Sequence, residues 1–361
     1  MRLTSATLRA SRLRHHGLTA SRSSSRTPIE TLRRLAAVQA QNLAAARWAI
    51  GVRSAGSTAP GVDAMFADGS AARSWTMRGT LHLVAVDDLH WMLQLTAARQ
   101  RASAVREVQA RGMTEHDFRR SEEHLVEAIA ERGPITRAEA LDLLAAAGIE
   151  VGGERGYRLI RDAAWRGRVA WGALRGAQQQ LVLLPATEPV DRDEALGRFL
   201  LRYLTGHAPA SLRDFAWWSG LTLGDARRAR AVVGTSVMAV AAESDADELL
   251  MPADEELAGA RPSGVHALPA WDEYVLGYRD RSPVLPVQHA TRISPTANGV
   301  FLPTIVSAGR IVGTWRQASV TGSTRRFETT VEPFVALSES EAGRFAASAE
   351  RYARFLGVLS P

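Results

Sequence analysis

Apolar positions recur with a helical period through most of the chain and then with a period of two, and this change sketches the elements. Residues 4–17 fit a short N-capped helix carrying Leu8, Ala10, Leu13 and Gly17. Pro28, suited to a first helical turn, opens a helix through about Val38, and Asn42 is a good N-cap for a second over 43–52. Residues 71–84 read as one strand, with Trp75, Met77, Gly79, Leu81 and Leu83 alternating against Thr76, Arg78, Thr80, His82 and Val84. A long helix over 87–110 ends at Gly112.

The next stretch contains a pattern that recurs. A helix over 121–131 stops at Gly133-Pro134, Thr136 caps another through Ala147-Gly148, and 154–166 makes a third with Arg155, Arg158 and Arg161. Strand-like 168–174 and 179–184 follow, joined by Arg175-Gly176-Ala177. Three helices and a two-stranded wing are the order of a winged helix-turn-helix module. A shorter copy comes next: helix 193–204, Ser211 capping 212–219, Thr222 opening 223–232, and a wing from 236–242 and 248–251. Trp217-Trp218 in this copy reads as core. From Arg261 onward Pro, Gly and strand residues dominate, with strand candidates at 274–276, 299–307, 310–316 and 325–332 and a closing helix over 338–356. The predicted class is α+β: tandem winged helix-turn-helix modules with a C-terminal small β-barrel-like domain. The predicted division is 1–113, 114–188 and 189–258 for three winged-helix modules and 259–361 for the β-rich domain.

Composition narrows the chemistry. The chain has 361 residues, 46% of them hydrophobic, and a mean hydropathy of −0.12, as expected of a soluble globular protein of two to four domains. No run of about 18 uncharged apolar residues is present, so no membrane span is expected. Cysteine is absent, which excludes disulfides, cysteine-ligated metal sites and thiol catalysis and suits a reducing, cytoplasmic compartment at the nucleoid. Net charge is +6, and all 44 basic residues are arginine. Arginine grips phosphate with a planar fork, which suits DNA, although a GC-rich genome also substitutes Arg for Lys throughout. Without lysine no side-chain amine can form a Schiff base with an opened sugar. The first 26 residues, rich in Arg, Ser and Thr, imitate a transit peptide. That reading is set aside for two others, a basic arm on DNA and a solvated helix.

The most telling stretch is Gln39-Ala40-Gln41, at the joint between two predicted helices. Residues two apart on a helix point nearly opposite ways, so the two amides can share a site only if the backbone between them is extended. Glutamine is neither acid nor base, but it donates and accepts hydrogen bonds, so a pair can orient a water or grip a polar edge. Polar capping of a helix end is the plainer alternative. The blocks Val38-Gln39-Ala40-Gln41-Asn42 with Arg47-Trp48, Trp75-Thr76-Met77-Arg78-Gly79-Thr80-Leu81-His82-Leu83-Val84, Trp271-Asp272-Glu273-Tyr274-Val275-Leu276-Gly277-Tyr278-Arg279-Asp280-Arg281 and Gly313-Thr314-Trp315-Arg316 together resemble the AlkZ/YcaQ superfamily of tandem winged-helix DNA glycosylases. Gln-aliphatic-Gln at the first block is similar to the AlkZ-like branch.

That resemblance implies catalysis by Gln39 and Gln41 on bulky alkyl adducts and crosslinks at purine nitrogens, often as self-resistance in producers of genotoxic natural products. Arg47, Trp48, Thr76, Arg78 and His82 become candidates for DNA or lesion contact, with Arg325 and Arg326 in a basic turn for the backbone. For His82 a purely structural hydrogen bond is the other reading. Asp272, Glu273 and Asp280, with Arg279 and Arg281, form the densest charged cluster, read either as a carboxylate catalyst or as pairs that lock the β-rich domain to its neighbours. The expected activity is a monofunctional DNA glycosylase acting on N7- or N3-alkylated purines in double-stranded DNA. No metal, cofactor, membrane or obligate protein partner is called for, and a monomer is expected. A tandem winged-helix regulator without chemistry explains the repeat and the charge equally well but not the glutamine pair. A metal-dependent nuclease would have to use the Asp272 region.

Overall fold

Thr27, Thr114, Thr136, Ser211, Thr222 and Ser338 each stand before a helix, with an acidic residue three positions on. In the computed structural model every one of these pairs closes a capping box, the hydroxyl accepting from the third helical N–H and the carboxylate accepting from the cap N–H. The structure describes residues 3–19, 26–110, 112–241, 248–259, 261–296, 299–317 and 327–359, without the side chains of 105–107. Among these, no helix is long and apolar enough to cross a membrane. The chain folds into two units, one of Met1–Val62 with Leu196–Pro361 and one of Asp63–Ala195.

The second unit holds a winged helix of helices Glu115–Arg132, Arg137–Ala146 and Arg155–Trp165 with strands Ile135–Thr136, Val169–Arg175 and Gln178–Leu183. Its sheet runs on through Ala71–Trp75 to Leu81–Ala85, beside the 25-residue helix Val86–Ala110. Here the expected single strand over 71–84 is corrected to a hairpin, with Ala71 opposite Ala85 and Trp75 opposite Leu81. A 3₁₀ turn, Met77–Gly79, reverses the chain, with φ of 54° at Arg78 and 70° at Gly79. The alternation of apolar residues continues through the turn, so period alone could not reveal the reversal.

In the first unit, helix Arg192–His207 from Leu196 onward, helices Leu212–Ser219 and Leu223–Val233 and strands Ala210–Ser211, Val237–Val240 and Leu249–Pro252 make the shorter winged copy, its sheet ordered 210–211, 249–252, 237–240. Strands Val265–Leu268, Thr304–Ser307, Arg310–Gln317 and Thr329–Pro333 pair antiparallel in sequence order. Helix Glu339–Phe355 covers one face, burying Phe345 and Ala349 against Val265, Ala267, Ile305 and Trp315. The strand at 265–268 was not expected. The one expected at 274–276 is instead a short helix, Glu273–Leu276, whose cap Asp272 accepts the Tyr274 N–H at 2.9 Å.

The N-terminal helix Ser5–His15 also departs from both expectations, being neither an arm nor a solvated helix. Leu8, Leu13, Arg9 and Arg12 are all buried. Arg12 is accommodated because its Nε–H donates to the Pro209 carbonyl at 3.2 Å and its guanidinium lies 3.7 Å from the centre of the Tyr278 ring.

Candidate active site

Helix Pro28–Leu35 ends at Ala36, whose φ of 63° turns the chain out of the helix and into the short strand Ala37–Gln39. Asn42 then starts helix Leu43–Gly51 by accepting the Ala45 N–H at 3.0 Å. Within this break the Gln39 side-chain NH₂ donates to Gln41 Oε1 at 2.9 Å. Gln39 is buried and Gln41 is exposed, so the pair joins the interior to the surface.

The break is held by its surroundings. Gly206, in helix Arg192–His207, lies so close to the end of the preceding helix that a Cβ there would stand 2.5 Å from the Arg34 carbonyl oxygen and 3.0 Å from Leu35 Cα. The Gln39 backbone N–H donates to Glu273 Oε1 at 3.0 Å, joining residues 234 apart in sequence. Glu273 has no exposed surface, and its other oxygen accepts the Trp218 indole N–H at 2.9 Å. His207 Nε2 stands 3.6 Å from that oxygen, and Gly277 makes room for the ring, since a Cβ there would fall 2.3 Å from His207 Cδ2. Beside it, Asp272 receives both arms of the Arg53 guanidinium at 2.7 and 2.8 Å, with both side chains fully buried.

A buried aromatic layer lies behind these carboxylates. The Tyr278 hydroxyl donates to the His207 carbonyl at 2.8 Å, so it receives its 2.9 Å hydrogen bond from His16 Nε2–H. Burial, followed by the neighbouring His207 and Arg53, holds His16 well below the usual histidine range, and the ring is neutral. Burial likewise raises the Tyr274 and Tyr278 hydroxyls above the usual tyrosine range, so both remain donors.

The remaining candidates are dispersed. Arg47 is half-buried on helix Leu43–Gly51. Trp48, on the same helix, is buried, gives its indole N–H to the Ala267 carbonyl at 2.8 Å and packs against Tyr352 and Phe355. Its ring is used by the core and offers no face to a base. Thr76, Arg78 and His82 belong to the second unit. Thr76 Oγ1 and His82 Nδ1 lie 3.0 Å apart, both residues fully buried, and the same nitrogen is 3.0 Å from the Thr80 carbonyl. These contacts of Nδ1 are of the kind that the structural alternative for His82 expects. Arg78 is half-buried in the turn. Arg325 and Arg326 lie outside the described residues. The charged block contains no open carboxylate cluster: Asp272 is engaged by Arg53, and Asp280 Oδ1 accepts the Ser282 N–H at 2.9 Å. Among the described residues, no group of three or more His, Cys, Asp or Glu could hold a metal ion. The hydrogen bond between Glu273 and the Gln39 N–H could not be anticipated from the sequence, although Trp271-Asp272-Glu273-Tyr274 stood out as a block.

The family model described as DNA glycosylase AlkZ-like matches residues 32–355. An interstrand DNA cross-link repair glycosylase of Streptomyces sahachiroi is 29% identical over 307 residues, covering 78% of this chain and 80% of that protein. The solved structure of Streptomyces sahachiroi DNA glycosylase AlkZ superposes with a TM-score of 0.82 at 26% identity, covering 99% of this chain and 98% of that one. The matched segment takes in the glutamine joint, two winged modules, the β-rich region and the whole closing helix, and the chain therefore belongs to the AlkZ-like DNA glycosylase family.

Proposed function

We propose that this glycosylase hydrolyses the N-glycosidic bond of N7- or N3-alkylated purines in duplex DNA, bulky adducts and interstrand crosslinks included, with Gln39 and Gln41 placing the attacking water. The observation that carries this reading is the 2.9 Å hydrogen bond between the two amides in an extended break between helices. An alkylated purine is already cationic, so its departure needs no general acid, and two amides suffice where carboxylates would otherwise be needed. What the site supplies is a water oriented toward C1′ and support for an oxocarbenium-like sugar. The product is an abasic site, with no strand scission by the enzyme. Arginine contacts to phosphate give affinity without sequence preference, and the enzyme acts as a monomer. The cross-link activity named for the Streptomyces sahachiroi relative makes a genotoxic natural product a fitting source of lesion, with the enzyme serving self-resistance.

The test is incubation with duplex DNA carrying a single N7-alkylguanine, followed by chromatography for free base. Release of the alkylated base, and unhooking of a matched N7–N7 crosslink, supports the assignment. Tight binding with no release of either would leave the substrate class wrong.

A further inference from the structure

We propose that Glu273 is a positioning residue of the glutamine site, its carboxylate pinning the Gln39 peptide so that the Gln39 amide stays directed at Gln41. The inference rests on the reading of Gln39 and Gln41 as the catalytic pair. Three observations meet at this side chain. It is fully buried, at the first turn of a helix that Asp272 caps and the Arg53 guanidinium anchors. Its two oxygens are divided between two donors, the Gln39 backbone N–H at 3.0 Å and the Trp218 indole N–H at 2.9 Å. His207 Nε2 stands 3.6 Å from the second oxygen.

This geometry asks for a carboxylate. An amide has one acceptor oxygen, so it could serve Gln39 or Trp218 but would turn an N–H toward the other donor, and a protonated acid would offer one of them only its weaker hydroxyl oxygen. A buried charge is costly to retain unless its hydrogen bonds are met, and here one of them comes from the backbone of the residue that carries the reactive amide and another from Trp218. The strand Ala37–Gln39 is only three residues long and follows a strained positive φ at Ala36, so its own ladder is a weak constraint on where Gln39 points. A rotation of the Gln39 peptide by a few tens of degrees would carry its side chain away from Gln41, and a misplacement of about 1 Å can cost a hundredfold in rate.

The experiment measures single-turnover base release and duplex affinity for Glu273→Gln, Glu273→Asp, Gln39→Ala and the double variant Gln39→Ala/Glu273→Gln. Glu273→Gln is expected to slow release about 10- to 100-fold with affinity changed less than about twofold, and to add little further loss in the Gln39→Ala background, because it acts through that residue. Glu273→Asp retains the charge but falls a methylene short and should lose an intermediate amount; it decides the matter if Glu273→Gln fails to fold. Wild-type release by a folded Glu273 variant, or full additivity with Gln39→Ala, overturns the proposal. Wild-type release by Gln39→Ala itself would instead overturn the catalytic pair.

Discussion

Arg53 and Asp272 meet edge to edge, two nitrogens on two oxygens at 2.8 and 2.7 Å, with neither side chain exposed although 219 residues separate them. Arg53 also donates from Nε to the His16 carbonyl and from an end nitrogen to that of Ala49, each at 2.8 Å. One guanidinium thus ties the N-terminal helix, the helix after the glutamine joint and the block that carries Glu273. Removing one partner leaves an uncompensated buried charge. Arg53→Met or Asp272→Asn should therefore lower unfolding free energy by about 3–5 kcal/mol in urea denaturation, and Arg53→Lys should not rescue it. A loss below about 1 kcal/mol would contradict this role.

Acid should destabilise the fold before carboxylates titrate. Burial is the first cause that lowers His15 and His266, each to about 4, and His16 well below 6.5. The unfolded chain, where these rings have ordinary values, then binds more protons below pH 6.5 than the folded chain does. Stability is fully present above pH 6.5 and falls as pH drops toward 4, by at most about 1.4 kcal/mol per pH unit for each ring. His266→Gln should make the fall shallower. A melting temperature that does not change from pH 7 to pH 5 would refute this assignment.

How much of this could be read from the sequence depended on range. Each capping box is decided within four residues, so Thr136-Glu139 and Ser211-Asp214 announced their helices directly. The break at Gln39 followed from Pro28 and Asn42 alone. By contrast, the helix Glu273–Leu276 is held by partners more than 200 residues away, Arg53 and Gln39, which no local pattern could indicate. The burial of Arg12 depends on Tyr278 and on the Pro209 carbonyl, so a row of arginines looked like surface. Trp48 and His82 have residue types suited to a lesion site, and nothing local indicated that the Trp48 indole N–H would meet the Ala267 carbonyl or that His82 Nδ1 would lie beside Thr76.

Binding to duplex DNA should be electrostatic. With +6 net charge carried by arginine, affinity in fluorescence anisotropy should fall by roughly a thousandfold between about 50 and 200 mM salt, whatever the duplex sequence. A flat response, or one operator far above all others, would fit a regulator instead.

The absence of lysine bears on the product. A lyase-active glycosylase captures C1′ with an amine, and the imine then promotes β-elimination. Here water is the expected nucleophile, so strands should stay intact until hot alkali is added, borohydride should trap no covalent adduct, and EDTA should leave the rate unchanged. A trapped adduct with untagged protein, or scission without alkali, would show another nucleophile at work.

The central claim is that two amides carry the chemistry, and it is tested most directly by the single-turnover rate of free-base release from duplex DNA containing one N7-alkylguanine. Gln39→Ala and Gln41→Ala should each slow that rate by about 10- to 1,000-fold, the range for losing one oriented polar group at a transition state, while duplex affinity and melting temperature stay near wild type. A folded, DNA-binding Gln39→Ala/Gln41→Ala variant that releases base at the wild-type rate would contradict the account.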